Sequence, residues 1–326
     1  MKVLLTGGAG YIGSFVVQEL AARGHTMLVV DDLSTGHREA IPDTPLDVVD
    51  IRDEPALMTS FERFRPECVI HLAALKSPEE STQNPAHYFD VNVSGTVNLL
   101  KAASRYGVVR FVFSSSAAVY GTPQMCPVDE TAPTAPQSPY GESKYIGERL
   151  VTTQAATTGM RHACLRYFNV AGAAPDASLG EYASGEARQL VPRAVAVARG
   201  LAPTLKIFGT DYPTEDGTAL RDYIHVVDLA RAHVLVAEGL DDAGRCGTYN
   251  LGRGEGTSVL ALVDGLRRIS GAEVPVEPCS RRPGDMPASW ADAGLVFRTF
   301  GWRAECDLHD ILSSAWAWHN GAPRTG

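Results

Sequence analysis

Tyr140 and Lys144 stand four residues apart in the stretch SPYGESK, residues 138–144. On a helix that spacing puts both side chains on one face, with Cβ atoms about 5–6 Å apart. An ammonium held there favours an ionised phenol, because an opposite charge stabilises the charged form. A phenol ordinarily ionises near pH ~10, so it works as a general base only where its surroundings bring that value toward the working pH. The spacing alone is common in helices and carries little weight. Upstream, FVFSSSAAVYG reads as an apolar strand that delivers Ser114, Ser115 and Ser116 to its carboxyl end, where open α/β sheets bind their ligands. The Ser116 hydroxyl, the Tyr140 phenol and the Lys144 ammonium, gathered at a nicotinamide ring, could exchange a proton with an alcohol while hydride moves to or from the cofactor. In that set Ser116 bonds the reacting oxygen.

The dinucleotide would bind at TGGAGYIG, where Gly7, Gly10 and Gly13 follow an apolar strand and open a helix. Glycines there permit a tight turn and a close approach of pyrophosphate to the helix N-terminus, whose amide groups and dipole favour anions. Asp31 and Asp32 end the next strand, and Asp31 follows Gly13 by 18 residues. That is near the roughly 20-residue separation expected of an acid on the adenosine ribose hydroxyls. A carboxylate at that place repels a 2′-phosphate, so the expected cofactor is NAD rather than NADP.

The elements that must position these residues are legible as short apolar runs alternating with helical patterns through the first half of the chain: KVLLT, TMLVVDD, LDVVD, CVIHLAA and RFVFSSS as strands, with helices between them. One long helical stretch is expected over NPAHYFDVNVSGTVNLLKAASRYG. The pattern predicts an α/β fold with a Rossmann-type, doubly wound parallel sheet. Beyond residue 170 come two Gly/Pro/Asp-rich segments, AGAAPDASLGEYASGEA and GTDYPTEDGTALRDYIHV, long enough to be binding loops, before helical patterns return. Residues 1–170 are therefore expected to form the NAD-binding domain. Residues 171–326 are expected to form a smaller C-terminal α/β region that mainly binds substrate, with an approximate boundary that the chain can recross.

At 326 residues, 44% hydrophobic and 21% charged, the chain can bury a sizeable core, and its formal net charge of −9 leaves no footprint for nucleic acid or an anionic membrane. No apolar run of about 18 residues occurs, and the three apolar residues after Lys2 are too short a core for a signal peptide. The six cysteines show no CxxC pairing and the nine histidines no HExxH, so no metal site is expected and a reducing cytoplasmic location is.

With these residues in place, the chain resembles the extended short-chain dehydrogenase/reductases and, among them, the UDP-galactose 4-epimerases. The likeness runs through TGGAGYIGS, VIHLAALK, NVSGTVNLL, FSSSAAVYG, PQSPYGESK, LRYFNVAGA, IFGTDYPTEDGTALRDYIHVVDLA, YNLGRGEGTSV and RRPGDMPASWAD. The resemblance implies NAD held throughout the cycle, proton removal from the sugar 4-hydroxyl by Tyr140, hydride transfer, turnover of a 4-keto sugar and return of hydride to its other face. It also implies that Tyr11 and Ile12 join the glycines at the cofactor, that Asp50 and Ile51 flank adenine, that Leu72, Ala73, Ala74, Lys76 and Asn92 line the dinucleotide, and that Phe168 lies near the nicotinamide. For a UDP-sugar it implies Asn169, Gln189, Phe208, Arg221, Tyr223, Arg282, Asp285 and Ser289. Their chemistry suits such a ligand, since Arg221 and Arg282 can fork onto a diphosphate, Phe208 can pack on a base and Asp285 can accept from ribose hydroxyls. A homodimer is the state the resemblance implies.

Three positions depart from the family pattern. Gln189 replaces an Asn, Lys206 a small or apolar residue, and Ser289 the bulky Tyr of epimerases restricted to unsubstituted hexoses. Ser289 frees volume, so UDP-GlcNAc and UDP-GalNAc are expected as substrates beside UDP-glucose and UDP-galactose. Two rivals share the fold: an epimerase of another sugar such as UDP-glucuronic acid, with Lys206 or Gln189 as the adaptation, and a non-catalytic NAD-sensing module. A 4,6-dehydratase would need an acidic pair where Ala117 and Ala118 stand.

Overall fold

The computed structural model describes residues 1–182, 189–282 and 285–321. In chain order the strands are β1 (Lys2–Thr6), β2 (Thr26–Asp31), β3 (Leu46–Val48), β4 (Cys68–His71), β5 (Arg110–Ser114), β6 (Arg161–Tyr167), β7 (Asn169–Ala171), β8 (Leu205–Phe208), β9 (Leu220–Arg221), β10 (Tyr223–His225), β11 (Gly247–Leu251), β12 (Thr257–Ser258), β13 (Val276–Cys279) and β14 (Ala288–Ser289). The α-helices are α1 (Tyr11–Ala22), α2 (Glu54–Phe64), α3 (Pro78–Gln83), α4 (Pro85–Phe89), α5 (Gly95–Arg105), α6 (Pro139–Thr158), α7 (Leu190–Ala198), α8 (Val226–Gly239), α9 (Val259–Ser270), α10 (Gly294–Phe300) and α11 (Leu308–Asn320).

Seven strands form one sheet in the order β11-β6-β5-β4-β1-β2-β3, and every neighbouring pair in it is parallel. Strands such as KVLLT and CVIH are mostly apolar, and buried at every position but Lys2, because helices cover both faces of the sheet. One face packs Phe15, Val16 and Leu20 of α1 with Leu229 and Val234 of α8. The other packs Leu57 and Phe61 of α2, Leu99 of α5 and Val151 of α6. The strand order reverses between β1 and β4, and the crevice beyond their carboxyl ends is the ligand position of such sheets.

The sheet draws on both sides of residue 170, since β11 adds beside β6 and α8 covers the face behind it. A second core, built from α7, α9, α11 and the β8–β13 pair, holds Val195, Leu205, Leu262, Leu266, Val274 and Ile311. The short strands β9, β12 and β14 tie Arg221 and Ser289 together in register at its edge.

The long helix expected over residues 84–107 is interrupted. A π turn over Asp90–Ser94 separates α4 from α5. The wider turn aims Asn92 inward, where its amide oxygen accepts from Leu75 N at 2.8 Å and its nitrogen donates to Leu75 O at 3.0 Å and Ser143 Oγ at 2.9 Å. Periodicity could not show this, because one inserted residue leaves the apolar stripe on either side intact. Among the described residues no helix is long and apolar enough to cross a membrane.

Candidate active site

The glycine turn is shaped by steric exclusion. Gly7 has φ +72°, and a Cβ there would lie 2.6 Å from Ala73 N. A Cβ on Gly13 would meet Gly7 O at 2.0 Å. Gly10 is different: the nearest protein atom to its Cβ position is Gly7 O at 3.3 Å, so its other side opens outward. The backbone is thus bared at the start of α1, as a pyrophosphate requires. Asp31 is buried at the end of β2 and accepts from Ala9 N and Leu33 N, both at 2.9 Å, with burial raising its pKa against those two bonds. Each oxygen keeps a lone pair for a ribose hydroxyl. Asp32 is exposed and turns back to Ser34 N and Oγ.

The other residues expected at the cofactor lie as follows. Ile51 is buried against Gly95, and Asp50 is gripped by Arg52, which lowers its pKa. Leu72, Ala73 and Ala74 follow β4 across from the glycine turn, and Leu72 N donates to Thr6 O. Lys76 is exposed and pairs with Glu181 at 3.3 Å. Tyr11 Oη donates to Gly172 O at 2.6 Å, and Ile12 packs on the sheet core. Asn92 has no amide hydrogen left for a cofactor and acts instead by fixing the wall at Leu75. These residues fit NAD.

At the chemical end, α6 starts on a Ser138 cap with Pro139 in its first turn, so Tyr140 and Lys144 enter the sheet's carboxyl edge on a rigid turn. Ser116 bonds the Tyr140 phenol and also accepts from Ala118 N at 3.1 Å. Phe168 packs beside them with Val119, Tyr120 and Ala291. Lys144 Nζ donates to Ser114 O at 2.9 Å and lies over the Phe113 ring, and burial raises the Tyr140 pKa while only the Ser116 bond lowers it. A buried cation needs such a carbonyl partner, and Ser114 O supplies it.

Burial lowers the Lys144 pKa to about 8 from the ordinary 10.5. Between those values the unfolded chain holds a proton that the folded chain has lost, so this group makes stability rise with pH there. Urea denaturation of the cofactor-free chain is expected to show wild type gaining on Lys144→Met from pH 8 to 10.5. A stability difference flat across that window would show that Lys144 is not buried as an ammonium.

The residues expected at the substrate come mainly from the second core and its edge. Arg221 is ion-paired with Asp285, and the Arg282 guanidinium lies 4.0 Å over the Phe208 ring. The two guanidiniums are therefore partnered within the cluster rather than splayed. Asn169 is exposed on β7, in register with Tyr223 of β10. Tyr223 itself is buried in the second core, with its pKa raised by that burial. Gln189 begins α7 without using its side chain as a cap. Ser289 is half-buried in register with Arg221, two residues before Ala291 of the Phe168 cluster. Lys206 is exposed on β8, in register with Glu277.

Several contributors were not read from the sequence. Asp222 is buried between Arg221 and Tyr223 and accepts from Arg253 N, Gly254 N and Ala291 N, at 2.8, 3.1 and 3.1 Å, drawing two loops onto β9. His71 joins β1 to α5: Ala73 N donates to Thr6 Oγ1 and Thr96 Oγ1 donates to Asn92 O, so Thr6 donates to Nδ1 and Nε2–H donates to Thr96. Burial and the Lys144 charge hold His71 neutral, with a pKa of about 3. No spacing rule flags either residue, since each acts through partners far away in the chain.

The NAD dependent epimerase/dehydratase family model matches residues 3–252. The chain belongs to that family. It is 41% identical over 325 residues to a UDP-glucose 4-epimerase of Lacticaseibacillus casei, covering 99% of this chain and 98% of that one. Among solved structures, a UDP-glucose 4-epimerase from Stenotrophomonas maltophila with bound NAD and formylated UDP-arabinopyranose is similar at TM-score 0.95 and 44% identity, covering 98% of each chain. The UDP-Glc/GlcNAc 4-epimerase of Campylobacter jejuni is similar at TM-score 0.86 and 37% identity, covering 98% of this chain and 99% of that one. Within the family, the alanines at 117 and 118 start a 3₁₀ turn and bring no acid to the site.

Proposed function

We propose that the chain is a UDP-hexose 4-epimerase that uses NAD, acting on UDP-galactose and UDP-glucose and, through the space at Ser289, on their N-acetylated counterparts. The observation that carries this is the joining of one buried Ser116–Tyr140–Lys144 set to a glycine turn and Asp31 on one side and to the Arg221–Asp285–Arg282–Phe208 cluster on the other. Bound there, NAD would supply a reversible hydride acceptor for carbon 4 and a positive charge that favours the phenolate. Tyr140 takes the proton of the 4-hydroxyl and gives it back, and Ser116 bonds the same oxygen. Lys144, fixed by Ser114, would face the cofactor and add positive charge to the site.

On the substrate side Arg221 and Arg282 exchange their present partners for the diphosphate, which uncovers Phe208 for the base and Asp285 for the ribose. Tyr212 is a further contact on this reading. Its hydroxyl is buried without a hydrogen-bond partner, and it senses the charges of Asp285 and Arg221. The working form is a cytoplasmic homodimer.

Product analysis of the purified protein on UDP-galactose, UDP-GalNAc and UDP-glucuronic acid tests the assignment. Conversion of each of the first two to its own 4-epimer, UDP-glucose and UDP-GlcNAc, without added reductant is the expected result. Turnover of the uronic acid alone would replace the sugar and leave the catalytic residues standing.

A further inference from the structure

The face of α6 that carries Tyr140 and Lys144 continues one turn further to Glu148, and the three consecutive serines at the end of β5 meet the three side chains one by one. Ser114 O accepts from Lys144 Nζ, Ser115 Oγ donates to Glu148 Oε1, and Ser116 bonds Tyr140. Glu148 is buried and receives a two-pronged bond from Arg166 of β6, Nε to Oε1 at 2.8 Å and Nη2 to Oε2 at 2.6 Å. Arg166 in turn stacks 4.7 Å from the Tyr120 ring, whose hydroxyl donates to Asn250 of β11 at 2.7 Å. Ser115 is held a second time, its N–H donating to Leu165 O at 2.8 Å.

We propose that Glu148, clamped by Arg166, is a positioning residue that sets the register of the three serines against α6. The inference rests on the epimerase reading and deepens it. A buried ion pair is weak evidence of stability, because removing two charges from water offsets much of their attraction. Its geometry is better matched to holding Ser115. Fixing that one residue sets both the carbonyl that receives Lys144 and the hydroxyl that meets Tyr140, on either side of it in the chain. Displacement of such groups by about 1 Å costs up to roughly 100-fold in rate.

The clean variant is Ser115→Ala, which removes the bond to Glu148 and leaves the ion pair intact. In the holoenzyme, kcat for UDP-galactose is expected to fall at least about 10-fold, while KM changes by less than twofold and NAD content is unchanged. Glu148→Met with Arg166→Met removes both charges together, avoiding a lone buried ion, and is expected to lower kcat similarly in a folded, NAD-containing protein. A positioning role is overturned if Ser115→Ala, or the folded double variant, keeps kcat within twofold of wild type, or if KM rather than kcat moves. Absence of turnover by the wild type itself would instead remove the epimerase reading, so the two failures are separable.

Discussion

Tyr140→Phe is expected to abolish epimerisation and to leave NAD bound. The substitution removes one oxygen from a side chain that is 8% exposed and keeps the ring that fills the space. The cost to folding is therefore the one hydrogen bond to Ser116, typically about 1 kcal/mol. The cost to catalysis is the proton acceptor itself, worth roughly 100- to 10,000-fold. Burial holds the phenol above its ordinary pKa, and Lys144 Nζ donates to Ser114 O. NAD released by denaturing the variant should equal that from wild type, because the glycine turn and Asp31 lie on other elements. A variant with kcat within tenfold of wild type would remove Tyr140 from the base role.

Ser289→Tyr is the second large effect, on selectivity rather than rate. Ser289 of β14 is in register with Arg221 of β9, between the Arg221–Asp285 pair and the Phe168 patch. A methylene in a pocket already changes discrimination by about 1–3 kcal/mol, and a phenol ring occupies the volume an N-acetyl group would need. UDP-GalNAc turnover is expected to drop at least about 100-fold in kcat/KM, with UDP-galactose changed only a few-fold. Equal loss of both substrates would mean that the ring distorts β14 instead of filling the sugar's space. The backbone argues against that distortion, since Asp222 N donates to Ser289 O and Asp222 itself accepts from Ala291 N.

What the sequence by itself determined about this protein is whatever short-range covalent geometry controls. Four-residue spacing puts Tyr140 and Lys144 on one helix face, and the α6 start fixes that face. Gly7, Gly10 and Gly13 stand at positions where a Cβ would collide or close an opening, and Asp31 ends the neighbouring parallel strand. The apolar strands required a sheet covered on both sides, which the seven parallel strands satisfy. Only the tertiary structure decided which buried polar group meets which. It gave Lys144 to Ser114 and Ser115 to Glu148, paired Arg221 with Asp285 and laid Arg282 on Phe208. It also returned the chain after residue 225 to place α8 and β11 with the first sheet, and inserted the π turn that frees Asn92 to hold Leu75. Tyr120 and its partner Asn250 are 130 residues apart, and nothing in local periodicity links them. Once water is excluded, each buried donor and charge must find its complement among whatever the packing brings within reach, and that choice is made by the whole fold.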